Sequence, residues 1–112
     1  MKVIESKYLP LPGFKAMNVF GLFLFVREGA NMSSKDMNHE EIHSKQWREL
    51  LYVGFLLWYG IEYIVRLYQY ADFHDAYRNI SLEREAYANQ ENLFYLKNRE
   101  MFDFLKYMRV NK

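Results

Sequence analysis

The longest segment with a helical pattern comprises residues 36–70, DMNHEEIHSKQWRELLYVGFLLWYGIEYIVRLYQY. It contains no proline, and its apolar residues recur at the spacing of an α-helix. At about 100° per residue, two histidines and a row of apolar side chains fall within about 40° of one line. We therefore predict one long helix whose histidines face the interior and whose stripe continues as core. The stripe consists of His39, His43, Gln46, Leu50, Val53, Leu57, Ile61, Ile64 and Tyr68.

The residues before this helix are expected to supply a small sheet. Residues 14–27, FKAMNVFGLFLFVR, are rich in Phe and Val, which favour strands. They predict one bent strand, or two strands with Gly21 at the kink or turn. Residues 1–13 end in two prolines and a glycine and are interpreted as an irregular lead-in. Residues 28–38 are interpreted as a loop.

A second helix is predicted near the end of the chain. A short polar segment at residues 71–79 precedes Ser81, a candidate N-cap for a helix over residues 82–109. The sequence contains no internal repeat and no low-complexity tract. We therefore predict one α+β domain over residues 1–112, in which a long helix and a crossing C-terminal helix pack with a small N-terminal antiparallel sheet.

The composition excludes several classes of protein. The chain has 112 residues, of which 51% are hydrophobic and 26% charged, so a packed core is expected and disorder is not. It has no cysteine, which excludes disulfide scaffolds, thiolate zinc sites and cysteine nucleophiles. Its net charge of +1 gives no broad field for nucleic acid. A metal would have to be bound by His, Asp or Glu.

The location of the chain is expected to be cytoplasmic. The first residues lack the continuous apolar stretch of a secretory signal. Residues 50–65 form a longer apolar run, but Glu62 interrupts it and Arg66 ends it, and a membrane span needs roughly 20 apolar residues. We interpret this run as a buried core helix, with membrane insertion or surface association as the alternative.

The strongest chemical motif is the HExxH pattern formed by His39, Glu40 and His43. Two histidines at i and i+4 lie one turn apart on the same helix face, about 5–6 Å between Cβ atoms. Both imidazoles can therefore reach one metal ion, and zinc readily accepts neutral imidazole nitrogen. Glu40 would lie beside a water molecule at the metal and could take its proton. The pattern predicts a zinc site in which Glu40 is the catalytic residue.

A zinc site with two histidines needs a third protein ligand. The main candidates are Glu83 and Glu85, with Asp72, His74 and Asp75 less favoured. On the predicted last helix, Glu83 shares a face with apolar residues, whereas Glu85 lies about 200° away on a mostly polar side. A buried carboxylate usually has a partner, and a bound cation is a natural one. We therefore predict Glu83 as the third ligand and Glu85 as a solvated surface acid.

These two motifs together resemble a known family. His39-Glu40-x-x-His43 followed by a helix with Glu-x-Glu-Ala is similar to the gluzincin branch of the zincin metallopeptidases. The chain also resembles small bacterial proteins with an Asn-His-Glu-x-Ile-His pattern followed by Glu-x-Glu-Ala-Tyr. The resemblance implies a zincin-like fold and hydrolysis of peptide bonds. It also implies zinc bound by both histidines and by Glu83, with Glu40 as general base.

The chain departs from that family at one position. Tyr87 stands where an Asp or Asn often hydrogen-bonds the first histidine, so Asn89 or a backbone carbonyl would have to replace that contact. Tyr77 and Tyr87 are both candidates for stabilising an oxyanion. Gln46, one turn after His43, is interpreted as an ordinary polar residue of the helix.

The partner expected from the resemblance is a peptide or protein substrate. Zincins place a strand beside the active-site helix, and residues 14–27 could pair along its free edge with an extended peptide. The alternative function is a non-catalytic helical interaction protein, membrane-associated or oligomeric, with a structural or vestigial metal site. Metal content and the effect of Glu40→Gln on hydrolysis would distinguish the two functions.

Overall fold

The computed structural model describes residues 2–7 and 15–108 of the chain. In this part, three strands precede five α-helices and a final 3₁₀-helix, which confirms the predicted α+β class. The elements are β1 (Lys2–Ser6), β2 (Ala16–Val19), β3 (Phe23–Arg27), α1 (Ser34–Glu49), α2 (Val53–Tyr70), α3 (Phe73–Arg78), α4 (Ser81–Asn89), α5 (Tyr95–Asn98) and the 3₁₀-helix Asp103–Tyr107.

The sheet is mixed, with strand order β1-β3-β2. β2 and β3 form an antiparallel hairpin, so the two-strand form of the prediction is confirmed. β1 pairs with β3 in parallel, so the predictions of an antiparallel sheet and of an irregular lead-in were wrong for residues 2–6. This strand was missed because only Val3 and Ile4 signal it, and its partner lies about twenty residues away. The two prolines and the glycine of the predicted lead-in lie outside the described residues.

The hairpin turn anchors the sheet to α1. Gly21 has a φ of +70°, and an added Cβ there would lie 3.2 Å from the backbone of Ser44. This close approach requires glycine. Beside it, the Asn18 side chain donates hydrogen bonds to the Glu40 carbonyl oxygen (3.0 Å) and to the Ser44 hydroxyl (3.1 Å). The sheet is therefore attached at the turn of α1 that carries the HExxH motif.

The predicted long helix is two helices. α1 ends at Glu49, α2 begins at Val53, and their axes are bent by 112°. Leu51 and Tyr52 both adopt positive φ angles, of 56° and 66°, which is costly for residues other than glycine. The bend brings Phe55 back onto Trp47, with the rings stacked at 3.9 Å between centroids. Burial of these rings offsets the backbone strain.

The bend changes which side of the second helix is buried. The predicted stripe is correct along α1, but it does not continue as core, because its members on α2 are exposed. α2 instead turns Phe55, Glu62 and Arg66 inward. In the described part of the chain, no single helix is long and apolar enough to cross a membrane; α1 and α2 meet that test only as a bent pair.

The predicted C-terminal helix is also interrupted. α4 ends at Asn89, and a short helix and the 3₁₀-helix follow it, so the single helix over residues 82–109 was wrong. The Asn38 side chain donates to the carbonyl oxygens of Asn89, Gln90 and Asn92 at 3.2, 2.9 and 3.0 Å. These bonds satisfy carbonyl groups that a helix end leaves free. The polar segment before α4 contains α3, which Asp72 caps.

A buried ion cluster joins the C-terminal segment to the helices. Arg99 forms two hydrogen bonds to the Glu49 carboxylate (2.6 and 2.9 Å) and also pairs with Glu85. Only 4% of the Arg99 side chain is exposed. Among the described residues, one cluster of buried apolar side chains consists of Trp47, Phe55, Ile80, Leu82 and Phe104.

Replacing Arg99 with methionine should strongly destabilise the protein. The change leaves two carboxylates buried together without a cation, and breaking a buried pair in this way costs about 3–5 kcal/mol. Urea denaturation followed by circular dichroism measures the free energy of unfolding. Arg48→Met, on the exposed side of α1, is the matched control and should change it by less than about 0.5 kcal/mol. A loss below about 1 kcal/mol for Arg99→Met would show that the cluster is not important for stability.

Candidate metal centre

α1 places two imidazole rings side by side in the interior. The helix starts with a capping box, in which the Ser33 hydroxyl and the Asp36 carboxylate each accept from the other's backbone N–H. His39 and His43 follow on the inward face, and both are buried. Their Nε2 atoms are 3.1 Å apart. The HExxH spacing therefore brings both rings to one point, as predicted.

α4 supplies a carboxylate to the same point. Oε1 of Glu83 lies 3.0 Å from Nε2 of His43 and 3.4 Å from Nε2 of His39. Its second oxygen, Oε2, accepts a hydrogen bond of 2.8 Å from the hydroxyl of Tyr59. Tyr59 thus holds Glu83 with one oxygen directed at the histidines. The structure brings together the three residues that the sequence predicts as ligands, and it adds Tyr59, which no sequence motif indicates.

Two glutamines determine which ring nitrogens carry protons. The side-chain nitrogen of Gln46 donates to the Leu82 carbonyl oxygen (2.9 Å) and to the Glu85 carboxylate (2.8 Å). Its oxygen therefore faces Nδ1 of His43, at 2.8 Å. The side-chain oxygen of Gln90 lies 2.9 Å from Nδ1 of His39 in the same way. Because an amide oxygen only accepts, each Nδ1 must be the donor and carry a hydrogen.

The consequence is a cluster of electron-rich atoms. A neutral imidazole with its proton on Nδ1 has a lone pair on Nε2, and both Nε2 atoms face Oε1 of Glu83. The three ligand atoms lie within 4.8 Å of one another. Their separations are close to the roughly 3.3 Å expected between ligand atoms of a tetrahedral zinc site with bonds of about 2.0–2.1 Å. His39, His43 and Glu83 therefore form a group that can hold a metal ion.

Without a metal ion, the same cluster favours a proton as its positive charge. Burial lowers the pKa of His43, but the charge of Glu83 and the hydrogen bond to it prevail and raise the pKa to about 9. Burial raises the pKa of Glu83, but the charge of His43 and hydrogen bonds from both rings hold it well below its usual range. Both shifts have the direction expected of a site that favours a cation.

Glu40 lies beside the cluster, at a cavity that opens to solvent. The cavity has a volume of about 200 Å³. It is lined by Lys15, Ala16, Met32, Asp36, His39, Glu40, Tyr77, Tyr87 and Gln90. Burial raises the pKa of Glu40, partly opposed by the charges of the two histidines. A carboxylate with a raised pKa next to a cavity is well suited to accept a proton.

Both predicted tyrosines lie at this cavity. The hydroxyls of Tyr77 and Tyr87 are 3.0 Å apart. The Tyr87 ring meets the edge of the His39 ring at 4.5 Å between centroids, and the Arg78 guanidinium lies 3.6 Å above the Tyr87 ring. Tyr87 therefore fixes the His39 ring by packing. The hydrogen-bond partner of Nδ1 of His39 is Gln90, not Tyr87 or Asn89.

Three predictions near the site were wrong or found no support. Gln46 is fully buried and orients His43, so it is not an ordinary polar residue of the helix. Glu85 is fully buried with Arg99 and Tyr95, so it is not a surface acid. Asn89 donates to the Glu85 carbonyl oxygen and to the Tyr107 hydroxyl rather than to a histidine. Asp72, His74 and Asp75, which the sequence favours less as ligands, are exposed and are not part of the cluster, in agreement with that ranking.

Gln90 could have been found from the sequence. It lies seven residues after Glu83 and falls on the same inward face of the predicted helix.

Comparison with known proteins adds no further information on the site, because no protein family, curated protein or solved structure matches the chain. The chemistry of the site must therefore be inferred from its own residues.

Replacing Gln46 with leucine should weaken metal binding. The change removes the acceptor for Nδ1 of His43, so the ring is no longer held with its Nε2 lone pair toward Glu83. Loss of such an orienting contact typically costs about 10–100-fold in metal affinity. Competition with a chromophoric chelator measures zinc affinity. Gln69→Leu, on α2, is the matched control and should leave it unchanged. An affinity for Gln46→Leu within about twofold of the parent would contradict the orienting role.

Proposed function

We propose that the protein is a zinc-dependent metallopeptidase that hydrolyses peptide bonds. The observation that carries this proposal is the convergence of two Nε2 nitrogens and one carboxylate oxygen beside Glu40, at the edge of a cavity. We also propose that the arrangement of α1, α4 and the sheet is zincin-like. The HExxH motif and the following Glu-x-Glu-Ala segment support that likeness.

The donor set fits zinc better than the hard cations. Two imidazole nitrogens and one carboxylate oxygen are a common catalytic zinc set, which leaves a fourth position open. Calcium and magnesium prefer oxygen ligands alone. When bound, zinc acts as a Lewis acid that lowers the pKa of water and polarises a carbonyl group.

The residues around the cluster have roles that match hydrolysis. Glu40 accepts a proton from the attacking water as the C–O bond forms, and it then delivers that proton to the leaving amine as the C–N bond breaks. Burial, reinforced by the charge of Glu83, raises the pKa of Tyr77 and keeps its hydroxyl protonated. That hydroxyl is our candidate donor to the developing oxyanion.

The substrate is proposed to be an extended peptide. β2 is at the edge of the described sheet, and its first residue, Ala16, lines the cavity with Glu40. A peptide could add to this edge by main-chain hydrogen bonds and so bring its backbone to the cluster. The Lys15–Asp36 ion pair (2.7 Å) lies at the same cavity.

Cleavage of a broad peptide pool tests the proposal. The protein, purified without added zinc, should contain about one zinc per chain and should cleave a proteome-derived peptide library, detected by mass spectrometry. A chelator should abolish cleavage, and added zinc should restore it. A chain that carries zinc but produces no new peptide termini would favour the non-catalytic alternative.

A further inference from the structure

The exposed side of α2 is apolar along the whole helix. All eight of its exposed residues are aliphatic, glycine or tyrosine. The helix contains two charged residues, Glu62 and Arg66, and both are buried and paired with each other at 2.9 Å. We call this exposed side the α2 face. It is the reverse of an ordinary surface helix, which buries its apolar stripe and exposes its charges.

Such a face is too large to be left uncovered. Leu57, Ile61 and Ile64 expose 60–67% of their surface, and Tyr68 exposes 92%. The face extends for the 18 residues of α2, about 27 Å at 1.5 Å per residue. A contiguous apolar patch of more than a few hundred Å² usually marks an interaction site. Seven of its large side chains each expose 46–92% of their surface, so the face offers a broad apolar area to a partner.

The shape of the face points to another helix as its cover. Its side chains form two ridges at i±4 spacing, Leu57-Ile61-Val65 and Leu56-Gly60-Ile64. Gly60 is a notch in the middle of the second ridge. A Cβ added there would meet nothing within 4 Å, so nothing in the described part of the chain requires glycine at this position. Glycine weakens a helix relative to alanine, and a close approach by a second helix would explain its presence.

We propose that the α2 face is the twofold interface of a homodimer. In a twofold interface the same patch meets itself, so it must be self-complementary in charge and shape. The face carries no charge and therefore does not repel its copy. Its notch at Gly60 lies beside the ridge residue Ile61, so Ile61 of each chain can fill the notch of the other. A lipid surface would cover the same apolar area but would give no role to the notch.

The mass of the protein in solution tests this interface. Analytical ultracentrifugation of the full chain should give twice the chain mass of 13.7 kDa. Ile61→Glu places two like charges near the axis and should raise the dissociation constant at least about 100-fold, giving monomers with an unchanged circular dichroism spectrum. Leu93→Glu is the matched control at an exposed leucine outside α2, and it should remain dimeric. A parent chain that is monomeric at its highest soluble concentration would overturn the proposal.

Crosslinking tests the position of the axis without adding charge. Because the chain has no cysteine, Ile61→Cys introduces a single reactive thiol. A short bismaleimide should link Ile61→Cys chains into covalent dimers and should leave Leu93→Cys chains mostly unlinked. Equal linking of the two variants would contradict the interface. A monomeric parent that floats with phosphatidylcholine vesicles would overturn it in favour of a lipid surface.

Discussion

Replacing Glu40 with glutamine should abolish peptide hydrolysis and leave the metal in place. The amide has nearly the same shape as the carboxylate but cannot accept the proton of the attacking water. General bases typically contribute about 10²–10⁴-fold, so kcat should fall by at least about 100-fold. Peptide cleavage by mass spectrometry and zinc content by elemental analysis measure the two effects separately.

The neighbouring acid provides the control for this prediction. Glu41 follows Glu40 on α1 but is exposed, so Glu41→Gln makes the same chemical change away from the cluster. It should keep both activity and zinc. If Glu40→Gln cleaves the peptide pool as fast as the parent, Glu40 is not the general base, whatever the metal content.

Replacing Glu83 with glutamine should remove the metal. Glu83 supplies the anionic ligand of the cluster, and a neutral amide is a much weaker zinc ligand than a carboxylate. Zinc affinity should therefore fall by at least about 100-fold, and the stabilisation that bound zinc gives to the folded state should be lost with it. Thermal unfolding with and without zinc measures this effect, because the parent should gain stability and Glu83→Gln should not.

Glu85→Gln is the matched control, since Glu85 is also buried on α4, two residues away. It should lower stability, because the pairing with Arg99 is weakened, but it should still bind about one zinc per chain. Loss of zinc from Glu85→Gln, with retention by Glu83→Gln, would assign the third ligand to Glu85.

The local part of the site could be predicted from the sequence. His39 and His43 are one turn apart on a single helix, so their convergence depends only on helix geometry. Glu83 is predictable as the third ligand because it shares a helix face with apolar residues. The structure confirms that this segment is helical, from Ser81 to Asn89. The prediction of Glu85 as a surface acid was wrong because its side of α4 is also covered: Gln46 from α1 and Arg99 from a later segment both contact its carboxylate. Periodicity alone cannot reveal a second covered side.

The breaks in the helices could not be predicted from local sequence. Neither Leu51 nor Tyr52 is a residue that normally ends a helix, and their positive φ angles are held by tertiary packing. The end of α4 likewise depends on Asn38, about fifty residues earlier in the chain. Because the sequence does not reveal the break between α1 and α2, it predicts that the apolar stripe of α2 is part of the core. In the structure this stripe is exposed.

Anomalous X-ray scattering at the zinc absorption edge would locate a bound zinc ion and identify its ligands. Crystals of the protein purified without added metal should show one strong zinc peak per chain. The peak should lie about 2.0–2.2 Å from Nε2 of His39, Nε2 of His43 and a carboxylate oxygen of Glu83. Crystals with no zinc peak at these three atoms, even after zinc is supplied in solution, would show that His39, His43 and Glu83 do not form a zinc site.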